Sequence, residues 1–395
     1  MLTQRQALWR FRLAVSFFFF IQGVVFASWA NRIPDIKETL GLDDRQLGTV
    51  LFAIPMGQMA AMALSGWLVN KFGSRRMMTI GALLYSLLLI PLSLAPSAHA
   101  LMGCLFLFGV SSNLCNAAVN TQAIGAERLH GKTIMASFHG LWSMGGFLGG
   151  LISMAFVGAR MSPEVQFVCV TAAAVMTICY FRAHLVRFDV KAQPKNGDEQ
   201  RGGRLALLRK VDPFVVALGF MAFAAMVCEG CMYDWSGVYY REVVGVEDGL
   251  VQLGYVVCLC TMTIGRFVSD HFVMRYGRRR VIVTSGLLIF SGMMLAVVLP
   301  NIVCATIGLF FVGFGISSTV PICYSLAGHS DRMSSAMAVT TVASIGYLGF
   351  LLGPPVIGHI SHAISLHYTF GIMACVGLLL ALGAMRLKLG KADKR

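Results

Sequence analysis

The sequence predicts an all-α membrane protein: twelve transmembrane helices in two pseudo-symmetric six-helix halves. Three observations predict it. The 395-residue chain is 57% hydrophobic and only 13% charged, against about 25% charged in an ordinary soluble domain. Its apolar residues gather into twelve segments of about 18 to 25 residues, the length that crosses a hydrocarbon core of ~30 Å. And landmarks of the first half return in the second. Gly66-Trp-Leu-Val-Asn-Lys-Phe-Gly73-Ser-Arg-Arg76 is echoed by Asp270-His-Phe-Val-Met-Arg-Tyr-Gly277-Arg-Arg-Arg280. Trp29 precedes Leu47-Gly48 as Trp235 precedes Leu253-Gly254, and Gly146-Phe-Leu-Gly149 matches Gly346-Tyr-Leu-Gly349. The offset drifts from 206 through 204 to 200 residues, as in a diverged duplication.

The segments fall near 11–31, 46–70, 77–96, 100–125, 134–158, 163–185, 213–240, 249–270, 280–299, 302–326, 334–360 and 367–386. Backbone groups in lipid must be satisfied within the segment, so each is a helix. A mean hydropathy of +0.72 agrees. Two helix starts are written plainly. Asp212-Pro213 and Ser162-Pro163-Glu164 each set a capping residue before a proline at the first helical position. Pro354-Pro355 is expected to distort the eleventh segment. The first segment follows Arg5, Arg10 and Arg12, is too long for a signal-peptide core and is expected to remain as a span.

An even number of spans puts both termini on one side. Most Lys and Arg lie at the termini and in the loops near 71–76, 126–133, 186–212, 271–280 and 327–333. Only Arg32, Lys37, Arg45, Arg160 and Arg241 fall opposite. Positive charge is retained in the cytoplasm, so both termini are expected there, in a bacterial inner membrane. The same distribution explains the net charge of +14 and excludes nucleic acid as its purpose. Residues 1–186 form the N-terminal half, 187–212 a basic cytoplasmic linker in contact with lipid headgroups, and 213–395 the C-terminal half. The 11 cysteines lie in apolar spans and read as small hydrophobes. His359 and His362 lack a third ligand, so no metal or cofactor is expected.

Twelve spans in two halves, with a Gly-rich basic loop after spans 2 and 8, resemble the major facilitator superfamily over essentially the whole chain. The loop signature, roughly G-x-L-x-D-x-x-G-R-R, is matched by Gly66, Leu68, Gly73, Arg75 and Arg76, and again by Phe272, Gly277, Arg278 and Arg279. The resemblance implies that this loop governs the change between conformations. The signature's aspartate is replaced by Asn70 and by Met274, which leaves only a neutral hydrogen bond where the family pairs charges. Asp270, near Arg275, is the candidate substitute. Phe26-Ala-Ser-Trp-Ala-Asn-Arg-Ile-Pro34 and Glu229-Gly-Cys-Met-Tyr-Asp-Trp-Ser236 are similar to the MosC-like and YbjJ-like bacterial subgroup, and distantly to fucose permeases.

Candidate functional groups follow from polarity inside the spans. A charge at a helix centre costs about 2.5–3.5 kcal/mol on insertion scales, so it needs a reason. Glu229 lies ~24 Å along its helix from Pro213 and is the candidate proton-coupling carboxylate; a fixed structural acid is the alternative. Arg32 and Asp234, each ~31 Å from the start of its span, reach the outer surface and form a candidate gate; two solvated end charges are the alternative. Asn113, Asn116 and Asn120 recur at i, i+3 and i+7, which places three amides on one helix face. With Gln22 near mid-depth they are candidate substrate-binding groups, since amides both donate and accept. His139, Trp142, Ser143, Gly146 and Gly150 share a face of the fifth span. His139 and Trp142 join the substrate-binding set, with Tyr347 as the repeat-related position in span 11. Gly145/Gly149 and Gly146/Gly150 are read as helix packing. Trp29 and Trp235, at matching outer depths, are read as membrane-interface anchors.

These groups fit a secondary active transporter exposing a polar site alternately to each side. The expected solute is small and polar, sugar-like or another metabolite, and protons supply the drive; the expected partners are that solute, protons and membrane lipid, and the expected state is a monomer. No G-x-x-x-x-G-K-[ST] loop offers ATP as the drive. Efflux by proton antiport and a sensor that kept a transporter fold are the alternatives. An intramembrane enzyme using His139 and Glu229 is disfavoured, because the two sit at depths of ~9 and ~24 Å and could not share one reacting centre.

Overall fold

The computed structural model describes residues 4–131, 134–186, 212–328, 330, 332–333 and 335–387. Nearly all of the expected linker thus lies outside the described residues. Among the described residues every regular element is helical, and twelve helices or helix pairs are long and apolar enough to cross a membrane. They coincide with the twelve expected segments, and some run further. The fourth span, for example, is Ala98–His130.

The chain forms two compact units. One contains Met1–Ala192 together with Glu247–Gln252; the other contains Gln193–Val246 and Leu253–Arg395. The first unit is built from α1 (Gln4–Ala30), α2 (Ile33–Thr39), α3 (Asp44–Leu51), α4 (Ala53–Phe72), α5 (Ser74–Leu87), α6 (Leu89–Ser93), α7 (Ala98–His130), α8 (Met135–Gly158) and α9 (Pro163–Phe181). The second holds α10 (Pro213–Tyr239), α11 (Leu253–Tyr276), α12 (Arg278–Val298), α13 (Ile302–Ala327), α14 (Ser335–Ile364) and α15 (Leu366–Arg386).

The duplication is visible in the packing. In the first unit α1 packs on α8 and α4 on α7; in the second α10 packs on α14 and α11 on α13. These are the same pairs of spans, 1 with 5 and 2 with 4, displaced by six. Large apolar side chains such as Met176, Phe267, Met274 and Leu379 remain exposed on the outer faces, as a hydrocarbon solvent allows.

The α1–α8 seam is a backbone-to-backbone contact. A Cβ built on Gly149 would stand 2.8 Å from that of Ala27, and one on Gly23 would run into the Trp142 carbonyl and stand 2.8 Å from the Gly146 nitrogen. The small residues of span 5 are therefore packing, as their spacing predicts.

The expected helix starts are only half alike. The Asp212 carboxylate accepts the Phe214 N–H at 3.0 Å and so caps α10. Ser162 occupies the cap position of α9 without a side-chain capping bond. The expected distortion at Pro354-Pro355 does not end a span, since α14 runs through both.

The two repeat-related elbows share an unusual backbone. Gly73, between α4 and α5, has φ 85° and ψ 143°; Gly277, between α11 and α12, has φ 82° and ψ 154°. An L side chain there is strained by about 1–3 kcal/mol. Gly73→Ala and Gly277→Ala should each lower the melting temperature of the purified protein. Gly66→Ala, at a helical site with open space around it, should not.

Candidate functional site

The second unit contains a charge pair between two of its apolar spans. Glu229 is buried on α10, with 8% of its surface exposed. Its Oε1 accepts a hydrogen bond from the Tyr233 hydroxyl at 2.7 Å, one turn along the same helix. The same oxygen accepts from Arg266 Nη2 of α11 at 3.2 Å. The carboxylate side chain is 10% exposed and the guanidinium side chain 32%. The Tyr233 ring lies parallel to Phe350 with centroids 6.3 Å apart and meets Tyr255 at 6.1 Å. These aromatic neighbours fix the hydroxyl that orients the carboxylate.

Glu229 is therefore not the lone acid that the sequence suggests. Arg266 went unrecognised because it sits beside the elbow signature and reads as part of it. A depth comparison makes it a candidate without identifying it as the partner. Glu229 lies ~15 Å from the end of α10 at Tyr239, and Arg266 ~20 Å from the start of α11 at Leu253, a mismatch that an arginine side chain spans.

The other expected groups are spread over the first unit and the rest of the second. Gln22 is buried and donates to Cys115 Sγ at 2.5 Å, which ties α1 to α7. Asn120 donates from Nδ2 to both the carbonyl and the Oδ1 of Asn116, each at 2.8 Å. Two of the three amides thus form one cluster, in which Asn116 is exposed, while Asn113 is half-buried. His139 is exposed and meets the Phe19 ring edge-on, with centroids 5.3 Å apart. Trp142 is half-buried against Phe26, and Tyr347 is half-buried.

Arg32 is neither solvated nor at a free end. It is 3% exposed and fully engaged within its own unit. Nε donates to Gln166 Oε1 at 2.6 Å, Nη1 to Asp35 Oδ2 at 2.7 Å and Nη2 to the Met161 carbonyl at 2.8 Å. Gln166 in turn donates to Ser153 at 2.7 Å, so the cluster braces α1, α2, α8 and α9 together. Asp234, the other expected gate residue, is half-buried. Trp29 and Trp235 are 1% and 0% exposed and so are interior side chains, not interface anchors.

At the first elbow, Ser74 accepts from Gln122 Nε2 at 2.7 Å, and the same amide donates to the Val186 carbonyl at 2.9 Å. Arg75 donates to the Arg182 carbonyl at 3.3 Å, whereas Asn70 and Arg76 are exposed. At the second elbow Arg278 donates to Ser325 Oγ at 3.4 Å and Arg279 is exposed. Asp270 belongs to α11, but its side chain lies outside the described residues.

Comparison with known proteins sets these features in context. The family profile described as Major Facilitator Superfamily matches residues 13–346 and 263–394. An uncharacterized MFS-type transporter of Yersinia pestis is 33% identical over 364 residues, covering 92% of this chain and 91% of its own. The membrane protein MosC of Rhizobium meliloti is 32% identical over 370 residues, covering 93% and 88%. A crystal structure of a variant of the nucleoside transporter NupG superposes with a TM-score of 0.81 at 14% identity, covering 95% of this chain and 99% of that one.

Proposed function

Because the chain belongs to the major facilitator superfamily, within its MosC-like bacterial subgroup, we propose that this multi-pass membrane protein is a proton-driven secondary transporter of a small polar solute. It works by alternating access. The observation that carries this reading is the carboxylate of Glu229, buried mid-span and held by Tyr233 and Arg266.

A pair of opposite charges is the least costly way to keep ionisable groups in a membrane, and such groups mark ion or proton paths. With Glu229 ionised the pair is neutral. A proton on Glu229 leaves a net positive charge at the same place, so its partners must rearrange. That change of local charge is what a proton contributes to a conformational cycle.

The solute is bound by groups that both donate and accept hydrogen bonds, which suits hydroxyl-bearing molecules. The Asn116–Asn120 cluster supports this. An amide exposed to hydrocarbon forfeits its hydrogen bonds, so the exposed face of Asn116 belongs against water. The excess of cations on one side supports an orientation with both termini in the cytoplasm of a bacterial inner membrane.

The test is flux in proteoliposomes. Glu229→Gln should abolish uphill accumulation driven by a proton gradient while leaving solute exchange at equal concentrations. Undiminished accumulation in that variant would remove the role assigned to Glu229.

A further inference from the structure

The second unit contains a groove of about 440 Å³ between α11, α12 and α13, lined by neither Glu229 nor Arg266. Its apolar walls include Val268, Phe272, Leu288 and Phe314, with Thr284 within it and Arg280 at one end. The volume lies in the range of ligand pockets, which hold about 300–1,000 Å³. Phe272 and Tyr276, which line it on α11, are each 45% exposed, so the groove opens at the surface of the second unit.

Its length and polarity name an occupant. The closed end is at Gly265, where a Cβ would stand 2.7 Å from that of Ser317 and α11 meets α13 directly. The open end is at Tyr276 and Arg280, by the Gly277 elbow. Eleven residues of helix separate Gly265 from Tyr276, or ~17 Å. One leaflet of a ~30 Å hydrocarbon core is ~15 Å deep. The groove is therefore about as long as one leaflet is deep, mostly apolar with Thr284, Ser285, Ser317 and Ser318 on its walls, and cationic at its mouth. Tyr276 stacks on Phe272 with centroids 6.2 Å apart, and Arg275 lies over the Tyr276 ring at 5.5 Å. Arg278 is engaged by Ser325, whereas Arg280 is exposed and lines the groove.

We propose that this groove seats one anionic phospholipid of the leaflet on the elbow's side. One acyl chain fills the groove and the phosphate rests against Arg280. A free phosphate would not need the apolar walls, and a zwitterionic choline headgroup would set its own cation among the arginines of the elbow. The lipid would bridge α11, α12 and α13 beside the elbow.

The test uses the full-length protein in detergent micelles. Native mass spectrometry counts bound lipid during titration with phosphatidylglycerol or phosphatidylcholine, with inorganic phosphate as a further arm. Phosphatidylglycerol should bind at least fivefold more tightly than phosphatidylcholine. Arg280→Glu should weaken it at least fivefold, the scale of one cation near an anionic surface. Arg76→Glu, the same charge change at the repeat-related elbow, should leave it unaltered. Thr284→Phe should reduce retention of both lipids by filling the groove. Arg280→Gln and Thr284→Leu repeat these arms with milder changes, and lipid-free melting verifies that each variant is folded. Equal binding of the two lipids, equal loss in Arg76→Glu, binding unaffected by both Thr284 variants, or competition by inorganic phosphate would each overturn the proposal.

Discussion

Replacing Arg266 by glutamine is expected to destabilise the protein more than replacing Arg266 and Glu229 together. Removing one member of a buried ion pair leaves the other as an uncompensated charge, at about 3–5 kcal/mol in fully buried cases. Here Arg266 is 32% exposed, so water screens part of the loss, and about 2 kcal/mol is the appropriate scale. The Arg266→Gln variant keeps Glu229 8% exposed on α10, hydrogen-bonded to the Tyr233 hydroxyl but without the guanidinium opposite. The double variant, with Glu229→Gln, has no charge left to compensate, and its new amide still accepts from Tyr233. A double-mutant cycle on thermal unfolding should therefore show a favourable coupling of at least about 1 kcal/mol. Additive single effects would mean that the 3.2 Å contact contributes nothing to the folded state.

The second large effect lies away from the charges. Gly23→Ala should sharply reduce the yield and melting temperature of folded protein. The added methyl meets the Trp142 carbonyl and the Gly146 nitrogen, which are backbone atoms without rotamers to retreat into. Relief requires α1 and α8 to separate along the seam that builds the first unit. Overpacking in a core usually costs about 1–3 kcal/mol, and a rigid helix–helix seam belongs at or beyond the top of that range. Fluorescence-detected size exclusion reads this directly, with Gly66→Ala as the helical glycine that has room. A Gly23→Ala protein that behaves like wild type would show that the seam is looser than its geometry indicates.

What could be read from the residues alone is what depends on one helix at a time. Length and apolarity fixed the spans, because lipid forbids any other backbone. The repeat of Gly73 and Gly277 announced two matching elbows, because only glycine accepts their backbone without strain. Glu229 stood out because a carboxylate in an apolar span is costly wherever it points.

What depends on a second helix was not legible. Arg266 as the partner of Glu229, Gln166 as a partner of Arg32, and the interior position of Trp29 and Trp235 were all decided by packing. A helix carries its side chains on every side, and its sequence gives their depth but not the neighbour each will meet. Depth therefore belonged to the sequence, and partnership to the tertiary structure.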